Sequence, residues 1–263
     1  QAAIRDSVAS RGLGDVYKRQ FNNLSLNKLS KAILKKKKSL KILVGRDTRE
    51  SSKKIENNFI KVLARNGAKI FKVGILSTPA IAYLTKKLNC NLGIVVSASH
   101  NPHQFNGIKF FNKDGFKFPL SLERKIENTL LQKAAVVETV KLGKAKRLSD
   151  AQGRYIEFCK SSSSNLDLSG LTIVIDCANG SNYSVAPQIF SELGASTIPL
   201  AISPNGVNIN EDCGSTNPKN IKKAVIDNNA SLGIAFDGDG DRLFFVDKNG
   251  KALDGDDLLF TLI

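Results

Sequence analysis

The sequence predicts an α/β fold in two consecutive domains, each a mixed, mostly parallel sheet flanked by helices, followed by the start of a truncated third domain. Short apolar runs of strand length alternate with segments whose apolar residues recur at helical spacing. Such alternation is typical of parallel sheets. It occurs twice, before and after the serine-rich loop 161–165, and the chain of 263 residues is long enough for two ordinary domains.

The first domain is predicted to alternate strands and helices from residue 41 onwards. Its first helix has Ile55, Phe59 and Leu63 on one face and ends near Gly67, a residue that favours helix termination. Pro79 falls in the first turn of the second helix, where a missing N–H is tolerated. The predicted strands are 41–44, 69–73, 92–96 and 108–111, and the predicted helices are 51–66, 78–88 and a third through Leu122, Ile126 and Leu130.

The second domain is predicted to repeat this pattern after a connecting helix, 149–160. Asn217 is the expected cap of its last helix, which begins at Pro218. Its predicted strands are 171–175, 196–200, 232–236 and 243–246, with a helix at 184–193. We therefore expect four segments: a non-native leader (1–20), a first domain (21–148), a second domain (149–250) and the start of a third (251–263).

Composition narrows the class of protein. The net charge is +15, but the basic residues are spread along the chain with one dense run at 35–38. This favours a solvated surface that attracts anionic small molecules, and we expect no nucleic-acid partner.

No apolar run approaches the roughly 18 residues of a membrane span, and no secretory signal is visible. The four cysteines form no C-x-x-C pair, which is typical of a cytoplasmic protein with reduced thiols.

An acidic loop follows the apolar strand 232–236. Asp237, Asp239 and Asp241 alternate with glycines, so in extended chain their side chains share one face. Their oxygens suit a hard cation, and Mg²⁺ fits well because it takes its remaining ligands from phosphate or water. The alternatives are a solvated acidic turn and an EF-hand calcium loop. The calcium loop fails because Arg242 and Lys248 occupy the positions that require Gly and Glu.

A second polar loop follows the strand 92–96. Ser97 and Ser99 lie on one face of the strand end, and His100 could take a proton from a serine hydroxyl. In an open α/β sheet, ligands bind outside the carboxyl ends of the strands, where this loop falls. Taken alone, a Ser-His pair is more often a capped loop with a satisfied histidine.

Basic residues near strand ends are candidate phosphate ligands. Lys109 interrupts an apolar strand, so it either faces solvent or lies buried beside phosphate as a clamp or proton-transfer group. Arg46, Arg49 and Arg242 each follow an apolar strand, where a guanidinium can hold phosphate through two hydrogen bonds. Any one of these arginines could instead be structural.

Taken together, these motifs resemble the α-D-phosphohexomutase family. The loop 97–102 resembles its phosphoserine loop, 237–242 its metal loop and 106–109 the segment beyond the serine. The similarity extends from about residue 21 to 263 and includes the stretches 93–111, 176–180, 203–218 and 233–247. The stretch 203–218 favours the members that act on glucosamine phosphates.

The resemblance implies that Ser99 is phosphorylated and that its phosphate, with Asp237, Asp239 and Asp241, holds one Mg²⁺. It implies proton transfer by Lys109, with His100 and Arg242 beside the phosphoserine. The residues implied to carry the reaction are Ser99, His100, Lys109 and Arg242, with Arg46 and Arg49 as weaker candidates for binding substrate phosphate.

The implied activity is interconversion of glucosamine 6-phosphate and glucosamine 1-phosphate through a 1,6-bisphosphate, for UDP-N-acetylglucosamine and cell-wall precursor synthesis. The substrate would be a small sugar phosphate, and the intact protein is compatible with a homodimer. The alternatives are a phosphomannomutase or phosphoglucomutase of the same family, or a non-catalytic fragment that binds cations or nucleic acid. The family's glycine-rich opening segment is absent here, as are most of its third domain and all of its fourth, so turnover by this chain alone is in doubt.

Overall fold

The computed structural model describes residues 29–30, 40–119, 121, 142–163 and 166–253. Within them the fold is built on two five-stranded sheets. The strands of the first sheet are β1 (Lys41–Arg46), β2 (Lys69–Ile75), β3 (Leu92–Val96), β4 (Ile108–Asn112) and β5 (Lys144–Arg147). Those of the second are β6 (Thr172–Asp176), β7 (Ser196–Leu200), β8 (Leu232–Phe236), β9 (Leu243–Asp247) and β10 (Ala252–Leu253). The helices are α1 (Glu50–Arg65), α2 (Thr78–Lys87), α3 (Ala151–Ser161), α4 (Val185–Glu192) and α5 (Lys219–Asp227).

The first sheet has the order β4-β3-β1-β2-β5, with β4 antiparallel to β3 and the other pairs parallel. Alternate residues of β1 pack on opposite faces. Ile42 and Val44 belong to the same apolar cluster as Phe59 of α1, whereas Leu43 clusters with Ile81 of α2. A strand covered on both faces must be apolar throughout, which explains why β1 reads as a continuous hydrophobic run.

The second sheet has the order β10-β9-β8-β6-β7, with β7, β6 and β8 parallel and β9 antiparallel to β8. Its central strand β6 is also covered on both faces, since Ile173 clusters with Ala186 of α4 and Val174 with Ile221 of α5. Two mixed, mostly parallel sheets flanked by helices confirm the predicted fold class.

Strand β5 was not predicted from the sequence. Its four residues are all exposed and three of them are basic, so they carry no hydrophobic pattern. The strand exists because its backbone pairs with β2 along the edge of the sheet, and charged side chains are common on such edges. The predicted helix through Leu122, Ile126 and Leu130 lies outside the described residues, as do the predicted leader and most of the predicted third domain.

The two domains share apolar packing and a line of polar contacts. Ile156 of α3 and Val185 of α4 join the apolar cluster that contains Val73 of the first sheet. Beside it, loops from the carboxyl ends of the strands meet, and the Thr48 hydroxyl donates to the carbonyl of Asn179 at 2.6 Å. The loops that carry the predicted motifs therefore face each other across the domain boundary. None of the helices in the described part of the chain has the length and apolar character needed to cross a membrane.

Candidate active site

The three aspartates of the loop after β8 converge. One side-chain oxygen from each of Asp237, Asp239 and Asp241 lies within 4.8 Å of the others. The loop folds around Asp237, whose Oδ1 accepts hydrogen bonds from the backbone N–H groups of Asp241 and Arg242 at 3.1 and 3.2 Å. The turn after β6 packs closely against this acidic loop. A Cβ added to Gly180 would lie only 2.4 Å from the carbonyl oxygen of Gly238, so only glycine fits there.

Lys109 of β4 is buried and donates hydrogen bonds to two members of the triad. Its Nζ lies 2.6 Å from Asp239 Oδ2 and 2.9 Å from Asp241 Oδ2. Burial alone would lower the pKa of Lys109, but the two carboxylates raise it above its ordinary value, so the ammonium is retained. Of the two interpretations open for this strand lysine, the structure supports the buried one.

The triad carries more negative charge than Lys109 neutralises. Burial, together with repulsion from Asp239 and Asp241, raises the pKa of Asp237 to about 7. Burial also opposes ionisation of Asp239, but the Lys109 ammonium outweighs it and lowers the pKa of that carboxyl. Asp239 Oδ1 is buried and has no hydrogen-bond partner among the described residues. A buried carboxylate oxygen without a donor, beside two further carboxylates, fits a hard divalent cation such as Mg²⁺.

Ser99 reaches this acidic site from the other domain. Its hydroxyl donates a hydrogen bond to Asp237 Oδ2 at 2.6 Å, across 138 residues of sequence. Its backbone adopts a positive φ of 52°, and its N–H donates to Ser97 Oγ at 3.0 Å. Ser97 therefore shapes the loop, whereas the Ser99 hydroxyl is the one that contacts the triad. His100 follows directly and is partly buried.

The backbone of the Ser99 loop is held from both domains. Arg49 Nη2 donates to the carbonyl of Ser99 at 3.2 Å and to that of Asn101. Asn210, from the second domain, donates to the same two carbonyls at 2.9 and 3.1 Å. The Arg49 guanidinium is wholly buried and pairs with Asp47, which neutralises its charge.

The predicted arginines occupy different environments. Arg46 pairs with Glu56 at 3.2 Å and donates to the carbonyl of Asp47 at 2.9 Å, so it is engaged with α1 and its own strand end. Arg49 holds the serine loop through its backbone. Arg242 adjoins the triad, where its own N–H supports Asp237. Contact of Arg46, Arg49 and Arg242 with substrate phosphate stays a prediction, and the first two already have protein partners.

Two residues at the site were not identified from the sequence. Thr78 begins α2, and both its hydroxyl and its N–H donate to Asp239. Asn210 lies in the stretch 203–218, which carried the family resemblance without a role for this residue. The available signal for Thr78 was its position just after β2, at the carboxyl edge of the sheet, where ligands of α/β folds bind.

Comparison with known families matches residues 8–136 to the phosphoglucomutase/phosphomannomutase family, alpha/beta/alpha domain I. Residues 153–250 match domain II of the same family. Together the two matches cover most of the chain. This chain belongs to the phosphoglucomutase/phosphomannomutase family. The resemblance stated from the serine and acidic loops is thereby confirmed.

Relatives of this family member include the phosphoglucosamine mutase of Pseudomonas paraeruginosa. It is 51% identical over 223 residues, which cover 84% of this chain and 50% of the relative. The phosphoglucosamine mutase of Alcanivorax borkumensis is 50% identical over 222 residues, covering 84% of this chain and 50% of its own length. The chain therefore spans about half the length of the curated relatives it matches.

Solved structures of the family share the fold. A putative phosphomannomutase from Thermus thermophilus superposes with a TM-score of 0.81 at 22% identity, covering 96% of this chain and 59% of that one. A phosphoglucomutase/phosphomannomutase family protein from Burkholderia thailandensis gives a TM-score of 0.73 at 23% identity, covering 91% of this chain and 53% of that one. At this identity the likeness concerns the fold alone.

Proposed function

We propose that this chain carries the phosphoryl-transfer site of a mutase that interconverts glucosamine 6-phosphate and glucosamine 1-phosphate. The observation that carries the proposal is the 2.6 Å contact between the Ser99 hydroxyl and Asp237, which joins a candidate nucleophile to a candidate cation site. The choice of an amino sugar is supported by relatives about half identical in sequence that are named phosphoglucosamine mutase. The activity would serve UDP-N-acetylglucosamine and cell-wall precursor synthesis in the cytoplasm.

In the proposed reaction Ser99 carries the phosphoryl group. The bond between phosphorus and Ser99 Oγ breaks while a bond to the sugar's 1-oxygen forms. The sugar hydroxyl's proton passes to the predicted base His100, and the serine oxygen takes a proton from the predicted acid Lys109, whose ammonium is available to donate. The product of this half is glucosamine 1,6-bisphosphate. After the bisphosphate turns in the site, the bond between phosphorus and the sugar's 6-oxygen breaks while a bond to Ser99 Oγ forms. The serine proton returns to Lys109, the 6-oxygen takes a proton from His100, and glucosamine 1-phosphate leaves.

The residues around Ser99 would act by position and charge, which dominate phosphoryl transfer. Arg49 and Asn210 fix the carbonyls on either side of His100 and so orient the loop that carries Ser99. The Lys109 ammonium offsets negative charge next to the transferring group. Asp237, Asp239, Asp241 and the phosphate on Ser99 would hold Mg²⁺, which when bound withdraws charge from the phosphoryl oxygens.

The test is transfer of labelled phosphate from glucosamine 1,6-bisphosphate to the protein with Mg²⁺ present, followed by mass-spectrometric location of the label. We expect label on Ser99 and none in Ser99→Ala. Ser161→Ala, at the exposed end of α3, is the matched control and should label like the wild type. Label on another residue that persists in Ser99→Ala, or a wild-type chain that takes no label, contradicts the proposal.

The same assay addresses the sugar. We expect faster labelling from glucosamine 1,6-bisphosphate than from the glucose or mannose bisphosphates. Equal or faster labelling from a neutral hexose would instead favour a phosphoglucomutase or phosphomannomutase, while leaving the role of Ser99 intact.

A further inference from the structure

Asp239 is held by donors from the opposite domain. Its Oδ2 accepts hydrogen bonds from Lys109 Nζ at 2.6 Å and from the Thr78 hydroxyl. The backbone N–H of Thr78 donates to the carbonyl oxygen of Asp239 at 2.9 Å. Both the side chain and the backbone of this aspartate are thus fixed by residues of the first domain.

This arrangement distinguishes the two oxygens of the carboxylate. Oδ2 is occupied by Lys109 and Thr78, whereas Oδ1 is buried and has no hydrogen-bond partner in the described part of the chain. A carboxylate oxygen without a donor is costly to bury. The oxygen that remains for a cation is therefore Oδ1, and the donors on Oδ2 determine which way the carboxylate is turned.

Hydrogen bonding within α2 does not explain the contact between the Thr78 hydroxyl and Asp239. Thr78 is the first residue of α2 and has no helix carbonyl four residues earlier to bond, unlike Thr85 of the same helix, whose hydroxyl donates to the carbonyl of Ile81 at 2.7 Å. The Thr78 hydroxyl instead bonds a side chain 161 residues away.

We propose that Thr78 is a positioning residue of the divalent-cation site. It turns Asp239 so that Oδ1 is left for the metal, and it thereby links metal binding by the second domain to the contact between the two domains. This role rests on the cation site of the proposed function. It requires no direct contact between Thr78 and the metal, because partners of a metal ligand fix the ligand's orientation.

The test measures Mn²⁺ affinity by electron paramagnetic resonance, with Mn²⁺ as the probe in place of Mg²⁺. Thr78→Val removes the hydroxyl while keeping the shape, and we expect its affinity to fall about 10- to 100-fold, as for other residues that orient a metal ligand. Thr78→Ser restores the hydroxyl and should bind close to the wild type. Thr85→Val removes a buried hydroxyl from the same helix and should leave the affinity unchanged.

Equal Mn²⁺ affinities for wild type and Thr78→Val would overturn the proposal, and so would a Thr78→Ser variant as weak as Thr78→Val. Circular dichroism checks the fold of each variant, and Thr78→Ala replaces Thr78→Val if the valine variant does not fold. A wild-type chain that binds no Mn²⁺ overturns the cation site and this role together. Normal Mn²⁺ binding without phosphate transfer to Ser99 would count against the proposed function only, and the Thr78 comparison would still decide this inference.

Discussion

Asp237→Asn is expected to stabilise the metal-free protein and to reduce its stabilisation by Mg²⁺. Burial and the neighbouring Asp239 and Asp241 raise the pKa of Asp237 from 3.8 to about 7. The folded state therefore holds this proton more tightly than the unfolded state does. Ionisation of Asp237 in the folded protein therefore lowers the free energy of unfolding. This loss begins as the pH rises above about 4 and is complete above about 7.

The magnitude follows from the pKa difference. A rise of about three units, at about 1.4 kcal/mol per unit, corresponds to about 4 kcal/mol as an upper limit. Asparagine keeps a carbonyl acceptor for the N–H groups of Asp241 and Arg242, and its amide can donate to the Ser99 hydroxyl. Since little hydrogen bonding is lost, we expect a gain of roughly 1–4 kcal/mol in the free energy of unfolding without metal.

Urea unfolding at about pH 8, where the cost is fully present, with chelator or with Mg²⁺, measures this gain. Asp247→Asn is the matched control: Asp247 also accepts backbone N–H groups, from Asn249 and Lys251, but these bonds lower its pKa. We expect no gain for that variant in either condition. An Asp237→Asn protein no more stable than wild type in chelator, or equally stabilised by Mg²⁺, would refute the reasoning.

Four further variants probe packing, three of them at the site and one, in α3, as a control. Gly180→Ala should destabilise the protein and weaken Mn²⁺ binding, because the new Cβ would lie 2.4 Å from the carbonyl oxygen of Gly238. Gly153→Ala in α3 adds a Cβ with no atom within 4 Å. It should raise the free energy of unfolding by about 0.5–1 kcal/mol in the same urea assay. Arg49→Met should lower that free energy by about 3–5 kcal/mol by leaving a buried carboxylate unpaired, and a loss of only about 0–1 kcal/mol, as for an exposed ion pair, would argue against a buried ion pair. Asn210→Ala should cost about 1–3 kcal/mol and slow phosphate transfer to Ser99; an unchanged labelling rate would show that the loop is held without it.

Most of the fold could be predicted because its central strands are covered on both faces. Burial of β1 and β6 between helices requires apolar residues throughout, and such runs are recognisable without coordinates. Strand β5 was missed because only its backbone takes part in the sheet while its side chains are exposed. A strand held by edge pairing alone leaves no hydrophobic pattern.

The features of the candidate site likewise divide into those that the sequence predicted and those that it did not. The alternate spacing of the three aspartates predicted that they converge on one face of an extended segment, but in the structure they converge because the loop turns, with the Gly240 N–H donating to the carbonyl of Asp237. The choice of Ser99 over Ser97 came from the family resemblance and not from spacing, and in the structure it is the Ser99 hydroxyl that meets Asp237. Thr78 and Asn210 were missed because their partners are 161 and 111 residues away in the chain.

The sequence by itself determined the strand–helix alternation, the two polar loops and the type of ligand that each loop can offer, because these depend on residues close together in the chain. Only the tertiary structure decided that Lys109 is buried between two carboxylates, that Arg49 holds the serine loop and that Asp239 has one oxygen left over. Those facts arise where the carboxyl edges of two sheets meet, and no local pattern encodes which side chains face each other there.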